Sequence, residues 1–188
     1  MAYKTIIFIL LFAGTVSTGF LIKPDLNPTE SAFGNGEKLV YKIFYNWNFV
    51  WLSAGEVHFE IKEEDHLYHV EVTGRTYASY EWFYKVRDKY HSYIDKQTGL
   101  PRLYIRDIQQ GNYRRYEKIV FDYDKQIAYS YTGRTMTDLK LTEITLDKPY
   151  YDMVSCMYYL RSQNLPQFSK LKKTSFHLLL DDKNTSWD

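Results

Sequence analysis

The chain reads as an all-β domain, mainly antiparallel, built as a barrel or a half-open barrel or sandwich, with one short helix near 152–161 and an N-terminal signal helix. Three observations predict this. Eight or nine short segments alternate apolar with polar residues, and turn-forming residues separate them every eight to twelve positions. The 188 residues also contain 19 Tyr, 11 Phe and 4 Trp, types that suit a pleated, half-buried surface. Alternation does not choose between sandwich and barrel, although closure would remove the sheet edges.

The elements follow in order. Lys4 and the apolar run Thr5 to Ala13 form a positively charged start and a hydrophobic core segment, with Ser17 and Gly19 as small residues before a cleavage at Phe20. Residues 1–19 are therefore expected to be a signal peptide. The alternative is an uncleaved anchor, because the apolar run continues weakly to Ile22. Residues 20–35, with Pro24, Pro28 and Gly34, read as a linker to a single β-domain over 36–188. Leu39, Tyr41, Ile43, Tyr45 and Trp47 alternate with polar and mixed residues as the clearest strand. Val57, Phe59 and Ile61 form the next, and Glu63-Glu64-Asp65 turns the chain into Tyr68, Val70 and Val72. Thr76 to Lys85 breaks the alternation, and Tyr77, Tyr80 and Tyr84 recur at helical spacing, so one helical turn is expected at the end of the sheet.

Asp88 to Asp95 and Arg102 to Gln109 pair across Thr98-Gly99-Leu100-Pro101, and Gly111-Asn112 opens the next turn. Tyr113 to Tyr123 and Ile127 to Tyr131 form a hairpin, followed by Leu141 to Leu146. Asp152 is placed to cap a helix whose stripe of Met153, Cys156, Met157 and Leu160 should pack on the sheet. Phe176, Leu178 and Leu180 form the last full strand. Beyond it, Thr185 to Asp188 starts a partner that stops after four residues, so the domain is read as truncated at the C-terminus, with an unpaired edge and a loosely packed Trp187.

The 24 basic and 23 acidic residues give a net charge of +1. That balance supports neither a nucleic-acid groove nor an overall polybasic membrane patch. Cys156 is the only cysteine, so there is no internal disulfide and no cysteine-based zinc site; on an apolar helix stripe it should be inert. His58, His66 and His69 lie close in sequence, but on a strand positions 66 and 69 face opposite sides, so no metal site and no cofactor are expected. Asp88, Asp95, Asp107, Glu117 and Asp122 lie in or beside strands. A pair of them could act on glycans, yet charged residues on strand faces ordinarily solvate a sheet. No catalytic residue is assigned. Dense aromatic groups, by contrast, could line a groove or barrel mouth. Tyr41, Tyr45, Trp47, Trp51, Trp82 and Tyr93 are the expected ligand-binding set.

The ordered fragments Gly36 to Tyr41, Ala54 to Val57, Asp88 to Asp95 with Gly99-Leu100-Pro101, Phe121-Asp122 and Asp152 to Ser155 leading to Tyr158 to Arg161 resemble a family of exported bacterial proteins of unknown function with a YmcC-like, β-rich, barrel-like fold. The resemblance implies envelope or periplasmic localisation in Bacteroides-like bacteria, and it carries no active site. The function expected from all of this is non-catalytic binding of an apolar or glycan ligand in an aromatic-lined concavity. A glycan-acting hydrolase, for which Asp88 and Asp122 would be tested, and a scaffold docking another envelope protein are the alternatives. Envelope lipid, glycan or protein are the expected partners, with no nucleic acid, and a membrane is expected only through the signal segment if it is uncleaved.

Overall fold

The computed structural model describes residues 32–47, 50–163, 176–181 and 183–187. The expected signal peptide and most of the linker lie outside them. Eight strands run as an antiparallel meander in sequence order: β1 (Lys38–Trp47), β2 (Val50–Glu64), β3 (Leu67–Thr76), β4 (Arg87–Asp95), β5 (Pro101–Gln110), β6 (Tyr113–Asp122), β7 (Ile127–Gly133) and β8 (Lys140–Thr145). Short connections make this topology the direct one, because each strand can pair with its successor. Asp65 and Gln126 adopt positive φ in two of the turns, a conformation that Asp and polar residues tolerate better than β-branched ones. Trp47 and Val50 pair directly, so β2 begins earlier than its alternation indicated.

The sheet is not closed: β1 and β8 are its edges. Beyond it lie β9 (Tyr150–Tyr151), the helix α1 (Met153–Ser162), β10 (Phe176–Leu180) and β11 (Lys183–Trp187), with the second sheet ordered β11-β10-β9. β9 was not legible in the sequence, and it pairs parallel to β10, a departure from an otherwise antiparallel fold. The C-terminal hairpin is also not left unpaired. β10 and β11 pair over their full length, from Phe176 with Trp187 to Leu180 with Lys183, across a turn in which Asp181 takes φ 54. Phe176–Leu180, expected to be an unpaired edge, is instead the central strand of that sheet with β11 at its edge, and the Trp187 side chain lies outside the described residues.

Alternation decides which face is buried. Directly paired residues share a face, so Phe59, Val72, Tyr104, Ile119 and Ala128 line one inner surface. α1, β9 and β10 cover the half of it nearest the β2–β3, β4–β5 and β6–β7 turns. Ile61, Val70, Tyr104, Ile119, Ala128 and Leu179 are fully buried. The void beside Phe33, Ile94 and Tyr158 measures about 10 Å³, which is at most one water molecule. The interior under α1 is filled. Phe33, within the stretch read as linker, packs its ring edge-on against Tyr68 and Tyr158, and Arg161 reaches from α1 to Glu37 at 2.6 Å.

Asp152 caps α1 as predicted, accepting from the backbone N–H groups of Val154 and Ser155, while the Ser155 hydroxyl accepts from the Asp152 N–H in return. The buried helix face differs from the expected stripe. Met153 and Met157 are 37% and 41% exposed, and Val154, Ser155, Cys156 and Tyr158 turn inward. Asp152 fixes this rotation, because its second carboxylate oxygen also accepts from the Ser92 hydroxyl of β4 at 2.7 Å. On β10 the buried residue is Leu179, opposite in phase to the expected Phe176, Leu178 and Leu180.

The other half of the inner face carries a buried ion pair beside Ile108. Glu117 is fully buried and lies 2.8 Å from Arg106. Its other oxygen accepts from the Asp181 backbone N–H at 3.1 Å, and Arg106 and Arg115 both reach the Asp181 carboxylate. Burial pushes the Glu117 carboxyl up, and Arg106 opposes that shift. The cluster therefore clamps the β10–β11 turn onto the meander.

Candidate functional site

Of two depressions, the small void under α1 and one on the outer face, the outer one is the larger. Register places His58 opposite Thr73, Thr73 opposite Lys89 and Glu56 opposite Arg75 on the side away from the core. There His58, Thr73, Arg75, Arg87 and Lys89, with the backbone of Gly74 and Asp88, surround a depression of about 330 Å³. That size is at the lower end of small-ligand sites. Its guanidinium groups are held from behind. Arg75 donates through Nε to Glu56 at 2.9 Å, and His58 Nε2 lies 2.8 Å from the same carboxylate. The bond from Arg75, with His58 adding to it, holds the Glu56 carboxyl below the usual carboxylate range. Arg87 pairs with Glu81 from the β3–β4 connection and lowers that carboxyl too. These pairings fix the walls and leave Arg75 Nη1, the Thr73 hydroxyl and the exposed Lys89 ammonium as hydrogen-bonding groups for a polar guest.

The predicted aromatic set does not converge. Tyr41 lies on the inner face of β1, half exposed, with its ring edge-on to Phe59 at 5.7 Å. Tyr93 is on the outer face of β4, stacked on His69 at 4.2 Å and 9°. The two are therefore on opposite sides of the sheet. Trp82 stands on the β3–β4 connection, 83% exposed. Tyr45, Trp47 and Trp51 fall in β1 and β2 beside the β1–β2 turn, opposite Leu52, Val50 and Asn46 in register; their side chains lie outside the described residues.

Nor do Asp88, Asp95 and Asp122 meet. Asp88 turns inward and accepts from the Gln109 N–H and the Gln110 amide at 3.1 and 2.6 Å, and burial raises its pKa. Asp122 closes the β6–β7 turn at the opposite end of the sheet, accepting from the Lys125 N–H. Asp95 likewise organises a turn, through Gln97 and Thr98. The histidine partner that sequence spacing missed is His91. His69 Nε2 and His91 Nδ1 are 3.0 Å apart across β3 and β4, and His69 Nδ1 lies 2.7 Å from Glu64. Only the register of two strands brings them together; His66 stays in the β2–β3 turn. Among the described residues no group of three or more His, Cys, Asp or Glu could hold a metal ion.

A family model matches residues 40–187, from β1 into β11. The chain belongs to DUF3108, a family of proteins of unknown function. No curated protein and no solved structure matches it. Among the described residues of this DUF3108 member, no helix is long and apolar enough to cross a membrane.

Cys156 of the DUF3108 domain is buried, and that burial pushes its thiol up to about 12. A thiol in that state is almost wholly protonated at pH 8 and is a poor nucleophile. Ellman's reagent is expected to leave the folded chain unlabelled at pH 8 and to label it fully in concentrated urea. Rapid labelling of the native protein would contradict the packing of α1.

Proposed function

We propose that this DUF3108 member is an exported, non-catalytic binding module of the bacterial envelope, and that it takes a glycan unit bearing hydroxyl and carboxylate groups in the outer-face depression. The observation that carries the reading is the depression itself: about 330 Å³, with Arg75, Arg87 and Lys89 facing one space and their charges partly offset by Glu56 and Glu81. Partly compensated charge suits a ligand with one anionic group among several hydroxyls, whereas a bare cationic pocket would favour phosphate clusters. The leader-like residues 1–19 and the resemblance to exported YmcC-like proteins support envelope localisation. The void under α1, about 10 Å³, is too small for a ligand, which supports a surface site over one beneath the helix.

Calorimetric titration of the purified chain with a galacturonic acid tetrasaccharide, and with maltotetraose as the uncharged comparison, tests this. Saturable binding of the uronic acid probe is expected, weaker by roughly tenfold in Arg75→Ala, as follows from losing a charge-assisted hydrogen bond. Absence of binding to both probes, or affinity unchanged in Arg75→Ala, would overturn the reading. Release of shorter oligosaccharides from either probe would establish the hydrolase alternative.

A further inference from the structure

The end of the meander formed by the β1–β2, β3–β4, β5–β6 and β7–β8 connections differs in chemistry from the opposite end. Three consecutive aromatics stand out from it: Trp82 at 83%, Phe83 at 77% and Tyr84 at 47% exposed. Tyr113, on the adjacent β5–β6 turn, is also exposed. Leaving such residues in water is unfavourable, and a cluster of them marks a contact surface.

The loop that presents them is built into the sheet. The Tyr77 N–H donates to the Ala54 carbonyl, and the Thr76 hydroxyl bridges the Tyr84 carbonyl and the Val86 N–H. The Phe83 and Tyr84 N–H groups both donate to the Tyr80 carbonyl after the 3-10 turn Ala78–Tyr80. Gly111, at φ 55, donates to the Lys85 carbonyl at 2.8 Å, and a Cβ there would stand 3.1 Å from the Tyr84 ring, so the β5–β6 turn is seated against the aromatic loop. The result is one platform across two turns.

Charge is polarised along the same axis. The connections of this end, with two strand residues on either side, hold six basic and three acidic residues. Of the acids, Glu81 is paired with Arg87 and, at 3.7 Å, with Lys85, Asp88 faces inward, and Asp138 closes its own loop onto Thr135; of the bases, Arg75 is paired with Glu56, while Arg114, Arg134 and Lys140 have no carboxylate partner among the described residues. The β2–β3, β4–β5 and β6–β7 connections of the opposite end, counted the same way, hold three basic and six acidic residues. The net charge of +1 conceals this dipole.

We infer that the aromatic, basic end docks onto an anionic lipid surface, with Trp82 and Phe83 entering the headgroup region and Lys85 and Arg114 facing lipid phosphates. Trp and Tyr are the residues that settle at a membrane interface, and neighbouring cations add attraction to anionic lipid. The acidic opposite end, repelled by the same surface, sets the orientation: strands stand on the bilayer, and the depression at Thr73 and Lys89 lies just above it.

Co-sedimentation of the full chain with vesicles of phosphatidylglycerol and phosphatidylethanolamine, and separately of phosphatidylcholine, tests this. Binding to the anionic vesicles is expected, falling steeply with added salt and weak on phosphatidylcholine. The double variant Trp82→Ala/Phe83→Ala should lose roughly tenfold or more in partitioning, Lys85→Glu/Arg114→Glu should lose as much, and Lys125→Glu at the far end should bind as the parent does. Because these side chains are exposed, circular dichroism of the variants should match the parent. No binding to anionic vesicles, equal binding to both vesicle types, unchanged binding in Trp82→Ala/Phe83→Ala, or saturation by an envelope protein in lipid-free extract would each overturn the inference. Sugar binding should be unchanged in Trp82→Ala/Phe83→Ala, so failure of the glycan site and failure of lipid docking are separable.

Discussion

Replacing Arg106 by methionine is expected to destabilise the domain by about 3–5 kcal/mol, the usual penalty for removing one partner of a buried ion pair. Glu117 is fully buried and Arg106 nearly so, and the pair also anchors the Asp181 turn of the C-terminal hairpin. Without the guanidinium, a desolvated carboxylate remains beside Tyr104 with only Arg115 and the Asp181 N–H near it. The double variant Arg106→Met/Glu117→Leu should recover most of the loss, because two packed apolar side chains often match a buried ion pair in stability. Urea unfolding followed by circular dichroism checks both. A single-variant loss under about 1 kcal/mol, the value of an exposed pair, would show that the cluster is hydrated.

Asp152→Ala is the second large effect. It removes the cap of α1, worth about 1–2 kcal/mol, and leaves the buried Ser92 hydroxyl without its acceptor, a further 1–3 kcal/mol or so. A total near 3 kcal/mol is expected in the same unfolding experiment. Asp152→Asn keeps the shape and separates out the charge. Burial, the largest influence, raises the Asp152 pKa, and the bonds from Ser155, Ser92 and Val154 offset it only in part. A carboxyl whose folded pKa lies above its unfolded value contributes stability below the unfolded pKa and loses it as pH rises through the folded one. Asp152→Asn should therefore be less damaging at pH 7 than at pH 4. The opposite trend would show that the native site favours the carboxylate over the acid.

Period-2 patterning made the meander legible. Each of its strands repeats apolar residues along a single face, and Asp65, Gly99, Gly111 and Gln126 mark turns by their backbone requirements. The pattern failed where tertiary contact overrides local periodicity. Tyr150-Tyr151 is too short to show alternation and becomes a strand only because β10 lies alongside it. α1 rotates Met153 and Met157 outward because Asp152 is tied to Ser92 on β4, a contact sixty positions away in sequence. Sequence also assigned Glu117 to a solvated face, because a buried carboxylate is recognisable only when Arg106 and Asp181 are seen beside it.

Among candidate site residues, Trp82 is expected from its aromatic neighbourhood to line a concavity, and it stands instead exposed on the β3–β4 connection. Tyr41 and Tyr93 were grouped with it on composition, and strand register places them on opposite faces. The residues that sequence did not single out, Arg75, Arg87 and Lys89, are ordinary strand charges until pairing of β3 with β4 aligns them with His58 on β2. A weak signal was present within each strand: Arg75 is in phase with Thr73 on β3, and Arg87 with Lys89 on β4.

Backbone amide shift mapping by NMR, during titration of the full chain with the galacturonic acid tetrasaccharide, tests most directly whether binding occurs on the outer surface above a filled interior. Shifts should concentrate at His58, Thr73 to Arg75 and Arg87 to Lys89, and leave Tyr104, Ile119, Ala128 and Leu179 unmoved. Shifts centred on those four residues, or none at the outer face at saturating probe, would contradict it.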